Sequence, residues 1–183
     1  METKKYKLTE ETIIVNDKSL YRIEALKDFS NVRKGDKGGF IENEENLSQS
    51  DNCWVYDNAM VYDNAKVFGN AMVYGTARVY DDAMVYGKAK VRDNVIIYNN
   101  AVICGNAWVY GNAVICGNAD VFGNADVFGD AVIGDNAVIC GNAWVNGNTK
   151  VYGNAKVYGE AMVYGEADVC GNAEVCGDME VYD

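Results

Sequence analysis

From Val55 to Glu180 the apolar and polar positions recur with a period of six. The run opens VYDNAM, VYDNAK, VFGNAM, VYGTAR and continues through 21 hexads without an insertion. The first position is Val or Ile in all 21, and the fifth is Ala in 18, with Val95, Thr149 and Met179 as the exceptions. The fourth is Asn in 14, and the third is mostly Gly, otherwise Asp or Asn. A helix repeats its apolar positions about every 3.6 residues, so this period is not helical. The density of β-branched residues favours strands. Residues two apart in a strand face the same way. Ala at the fifth position and the Val or Ile that follows the sixth therefore point inward, and the sixth and second positions point outward. The Gly-Asn pair at positions three and four reads as the turn, since both residues tolerate positive φ. One hexad cannot bury its inward face alone, so stacked hexads must supply the core.

The hexad resembles the motif of the hexapeptide-repeat family: an aliphatic residue, Gly, two variable residues, a small residue and one more. Ile133-Gly134-Asp135-Asn136-Ala137-Val138 matches it closely. The resemblance covers residues 55–180. It implies an all-β fold, a left-handed parallel β-helix of triangular section with three hexads per coil; the handedness rests on the resemblance alone. Twenty-one hexads then make seven coils, a prism about 34 Å long at ~4.8 Å per stacked strand.

Residues 1–46 lack the repeat. Thr12–Val15 and Leu20–Leu26 read as strands joined through Asn16-Asp17-Lys18-Ser19, a hairpin signal, and Lys34–Gly39 reads as a loop. Ile41 and Leu47 are six apart and Cys53 lies two before Val55, so residues 40–54 read as an irregular first coil, giving seven to eight coils in all. The division expected is a hairpin cap over 1–46 and a β-helix over 47–183. An open β-helix end exposes unpaired backbone, which a cap would cover; the alternative is a docking module for a partner.

With three hexads per coil the outward residues sort onto three faces. The first carries all three tryptophans of the chain, and Trp54, Tyr56, Tyr74, Trp108, Tyr110, Phe128 and Trp144 form its candidate binding surface. Clustered Trp, Tyr and Met are the composition of an interface core. The second face has an apolar stripe of Ile96, Val114 and Val132, the candidate homo-oligomer interface. The third is mixed, with Lys66, Met84, Val102 and Asp120.

Charge and composition narrow the function. The formal net charge of the 183 residues is −11. Residues 1–46 hold nine Lys/Arg against ten Asp/Glu, whereas residues 47–183 hold seven against seventeen. Such a surface repels nucleic acid and anionic membranes, so neither is an expected partner except through mimicry of a polyanion. The only cationic cluster in the prism, Arg78, Lys88, Lys90 and Arg92, is a candidate anion site. The N-terminal METKKYKLTEETIIV has no signal-peptide core, and no apolar run reaches the ~20 residues of a membrane span. A cytoplasmic protein is expected.

There is no His and no Pro. Characterised members of the resembled family are mostly acyltransferases with a catalytic His and a protruding loop, or carbonic anhydrases that bind zinc through His. Without His, and without a loop over 55–180, no general base is evident; no catalysis, metal or cofactor is expected. Cys104, Cys140 and Cys176 fall two coils apart on one face, about 9.6 Å, beyond disulfide or zinc reach. The reading is a non-enzymatic binding protein, partnered by itself as homodimer or homotrimer and by another protein. The chain is more loosely similar to hexapeptide-repeat proteins of bacteria and phages that carry a hairpin before VYGNA-type repeats; that likeness assigns no activity but points to a phage-borne accessory role, such as inhibition of a host defence protein. A structural scaffold and a small-molecule sequestering protein are the other classes.

Overall fold

The computed structural model describes residues 4–183. Each hexad contributes one strand of two or three residues, made of its sixth position and the Val or Ile that follows, as in Met60–Val61. Strands pair in parallel with those one coil away: Trp54 with Met72, Ile96 with Val114, Val102 with Asp120. The result is an all-β parallel solenoid of about eight turns, with three sheets along its length. The inward Ala and Val or Ile are fully buried through most of its length and form one continuous core.

The turns divide labour between their two residues. Every third position from Asp57 to Gly177 sits at positive φ, between 53° and 78°. The fourth position does not share this conformation, contrary to the expectation for both. Its asparagines instead stack into amide ladders, donating from Nδ2 of Asn100 to Asn118, Asn118 to Asn136 and Asn136 to Asn154 at 2.9–3.0 Å. Asp at the third position adds a bond of its own: the Asp93 carboxylate accepts from the Gly111 N–H at 3.1 Å.

Thr149 breaks the inward Ala column. Its hydroxyl is buried and has no hydrogen-bond partner. Val95 stands three coils earlier at the same corner and is equally buried, so the column accepts a β-branched side chain. Removing an unpaired buried hydroxyl while keeping the shape relieves its desolvation cost. Thr149→Val is expected to stabilise the protein by about 1–2 kcal/mol, read as a higher midpoint of chemical denaturation.

The N-terminal segment joins the same architecture. Strand β1 (Tyr6–Val15) pairs antiparallel with β2 (Lys18–Ala25), and the turn residues Asn16 and Asp17 both have positive φ, as a two-residue hairpin loop requires. β2 then pairs antiparallel with β3 (Lys37–Ile41), and β3 pairs in parallel with Met60–Val61. So the stretch 34–39, expected to be a loop, ends inside a strand, and the parallel ladder starts at Phe40, at the head of the stretch 40–54 read as the first coil. The first coil is irregular, as expected: Ile41 faces Val61 and Leu47 faces Val67, a step of 20 residues instead of 18. Ile41, Leu47 and Cys53 are all inward and buried.

Carbonyls of that first coil find side-chain partners from the N-terminal segment. The Lys5 ammonium donates to the carbonyls of Cys53 and Ser50 at 2.9 and 3.1 Å and lies 3.3 Å from the Cys53 thiol. The Tyr6 hydroxyl donates to the Leu47 carbonyl at 2.6 Å. Asn46, in the first coil itself, donates to the carbonyls of Asp63 and Ala65 one coil on. Burial lowers the Lys5 pKa and raises that of Tyr6. Buried polar groups are tolerated here because each is hydrogen-bonded.

Candidate binding face

The face assignments read from the repeat coincide with the observed strand pairing. Trp54, Met72, Lys90, Trp108, Asp126, Trp144, Met162 and Glu180 form one continuous column of paired strands. Its members differ in exposure. Trp54 is 1% exposed. Tyr6 and Phe29 meet its ring edge-on, with centroids 6.0 and 5.3 Å away. The expectation that Trp54 belongs to an open surface is therefore corrected: the chain's own N-terminal segment covers it. No hexad pattern in residues 1–46 signalled that Phe29 would reach the first coil. Tyr56, beside it, is partly buried and donates to the Asn31 side chain at 2.8 Å; burial pushes its phenol up to about 12.

Beyond this covered rung the face is open. Trp108 is 39% exposed, Trp144 48% and Met162 36%. Aromatic residues of the second position stack along the same sheet: Tyr56 on Tyr74 at 4.4 Å, Tyr110 on Phe128 at 4.8 Å. Trp144 is turned almost perpendicular to Phe128, at 79° and 6.1 Å. The structure thus brings Tyr74, Trp108, Tyr110, Phe128 and Trp144 onto one surface.

The four expected cations do not share a site. Lys90 and Arg92 lie over Trp108, 4.3 and 5.8 Å from its ring centroid, and Arg92 also lies 4.6 Å from that of Tyr110. Arg78 pairs with Met60 and Ile96 on the second face, and Lys88 sits in a turn. Around Trp108 a depression of about 360 Å³ is lined by Asp57, Tyr74, Lys90, Arg92 and Asp93. Its cations are engaged by rings and, for Arg92, by Asp93 at 3.8 Å. The physical reason is the three-sided coil: residues 10–14 apart in sequence fall on different sides.

On the second face Ile96, Val114 and Val132 are successive paired rungs, as expected, and Val132 is 36% exposed. Below them the hairpin wraps the outer side of the sheet. Leu20, Phe40 and Tyr62 form a small buried cluster there, with Ile13 and Val15 packed on it. The outward cysteines Cys104, Cys116, Cys140, Cys170 and Cys176 are unpaired. Among the described residues no cluster of ligating side chains could hold a metal, and no helix is long and apolar enough to cross a membrane.

Residues 77–93 and 101–117 match the family model of the YdcK beta solenoid repeat. The chain is a β-solenoid repeat protein. Together with the stacked coils, the match is consistent with a hexapeptide-repeat-like β-helix family. Within this β-solenoid the matched stretches hold Lys90, Arg92, Trp108 and Tyr110, so the cation–aromatic cluster lies on the conforming part of the repeat. No match was found among curated proteins.

Proposed function

We propose that this β-solenoid is a non-enzymatic binding protein whose tryptophan face docks a protein partner, while its second face holds copies of the chain together. One observation carries the reading. The first rung of the tryptophan face is already covered by polypeptide, with Phe29 and Tyr6 on Trp54, whereas Trp108, Trp144 and Met162 of the same column are 36–48% exposed. Exposed aromatic rows of this kind mark contact sites. The N-terminal segment acts as the cap of the solenoid. A cytoplasmic setting suits six unpaired cysteines, since reducing compartments keep thiols free. The absence of His supports a role without acid–base catalysis.

Native mass spectrometry of protein isolated at low salt tests both faces. A homodimer or homotrimer is expected, with a protein partner retained. Val114→Glu places a charge in the apolar stripe and is expected to yield monomer; an unchanged subunit number rejects the second face. Replacing Trp108 and Trp144 together by Ser is expected to remove the partner but not the oligomer. A partner held equally well by that double variant rejects the tryptophan face.

A further inference from the structure

The tryptophan face contains its own comparison. Trp108 and Trp144 stand in one column, two coils or about 9.6 Å apart. At Trp108 the chain supplies the cations: Lys90, its paired neighbour one coil earlier, and Arg92 both lie over the ring. At Trp144 the paired neighbour one coil earlier is Asp126, and Phe128 takes the place of Arg92. Phe128 touches the indole only edge-on. A depression of about 270 Å³ beside the ring is lined by Asn142, Trp144, Glu160 and Met162. The sequence has no Lys or Arg from Asp93 to Thr149 and none after Lys156. Lys156 itself lies on the third face and bonds Glu174 at 3.4 Å. Trp144 is thus an exposed indole flanked by carboxylates, with no cation of the described residues seated on it.

We infer that Trp144, with Asp126 and Glu160, receives the lysine or arginine side chains of a basic segment on a partner protein. This rests on the reading of the face as a docking surface and names the chemistry of its occupant. A cation within about 6 Å of an indole is attracted by the ring, and the carboxylates on either side steer it and hold its charge. Burial raises the Asp126 carboxyl pKa, and an arriving cation offsets that cost. A foreign protein suits the site better than a second copy. Several of the chain's own cations are engaged, Lys90 and Arg92 on Trp108, Lys4 with Glu44, Lys18 with Asp63, and Arg22 and Lys37 with Glu11, and residues 47–183 hold seventeen Asp/Glu against seven Lys/Arg, so a second solenoid brings mainly like charge.

The test follows the indole N–H resonance of Trp144 by NMR during titration with three short glycine-rich peptides, alike except that they carry lysine, glutamine or glutamate. The lysine peptide is expected to shift it saturably, and added salt is expected to weaken that binding. Trp144→Ala, or Glu160→Gln joined with Asp126→Asn, is expected to weaken lysine-peptide binding about tenfold, read for the alanine variant from the Met162 methyl resonance. Glu174→Gln, which removes a carboxylate from the third face, is expected to leave it unchanged. Equal binding of the glutamine peptide at Trp144 overturns the cation requirement while leaving the docking face intact. Silence from all three peptides at Trp144, with a partner still lost from the double Ser variant, also overturns this inference alone. If the site is already filled in a dimer that Lys90→Glu with Arg92→Glu converts to monomer, the occupant is a second copy and the inference is wrong.

Discussion

Trp54→Ala is expected to destabilise the protein by about 3–5 kcal/mol, the range for truncating a large buried aromatic side chain. The indole is the largest fully buried side chain among the described residues. It is held between Tyr6, which arrives from β1, and Phe29, which follows β2. Removing it empties the junction where two separate pieces of chain meet the first coil. The loss should not stop at a cavity: Tyr6 also positions its hydroxyl on the Leu47 carbonyl, and Lys5 beside it serves Cys53 and Ser50. A shift of the N-terminal segment would leave those buried groups unpaired. Urea denaturation followed by tryptophan fluorescence and far-ultraviolet circular dichroism measures the effect. The same truncation at Trp144, which is half exposed, is expected to cost less than about 1 kcal/mol.

Gly39→Ala is the second large effect, for a reason of space. Gly39 lies in β3 where the chain passes against the first coil. A Cβ there would come 2.4 Å from the Ala59 carbonyl oxygen and 2.6 Å from a Val55 methyl. Backbone on one side and a buried side chain on the other leave no flexible neighbour to yield. Overpacking of this sort costs about 3 kcal/mol or more, and it would separate β3 from Met60–Val61, the pairing that joins the N-terminal strands to the solenoid. Gly171→Ala is the control. That glycine has positive φ but open space around its Cβ position, so only the left-handed conformation is penalised, about 1–2 kcal/mol. Thermal unfolding of both variants beside the wild type separates the two causes.

Most of the solenoid was legible in the sequence because a strict period leaves little freedom. Once Val or Ile and Ala face inward, every outward residue has a fixed column, and the columns of Trp108, Val114 and Val102 are the observed ones. The N-terminal part was less legible because its contacts are not periodic. Nothing in the local pattern of Phe29 or Tyr6 tells that they converge on Trp54. β3 was hidden behind two glycines, which usually signal a loop but here permit close approach to the first coil. The candidate anion cluster is compact along the chain, but the coil sends Arg78 and Lys90 to different faces. The asparagines were ascribed to turn conformation, whereas their amides form ladders, a contact between coils that one hexad cannot reveal.

The most direct test of the account compares caesium and iodide quenching of tryptophan fluorescence in Trp→Phe variants that isolate each indole. The structure gives the three rings three environments: Trp54 buried under Tyr6 and Phe29, Trp108 exposed beneath Lys90 and Arg92, and Trp144 exposed among carboxylates. Trp54 is expected to resist both ions, Trp108 to favour iodide, and Trp144 to favour caesium. Quenching of Trp54 as strong as that of Trp144, or iodide matching caesium at Trp144, would contradict an acidic, open tryptophan face built on a covered first rung.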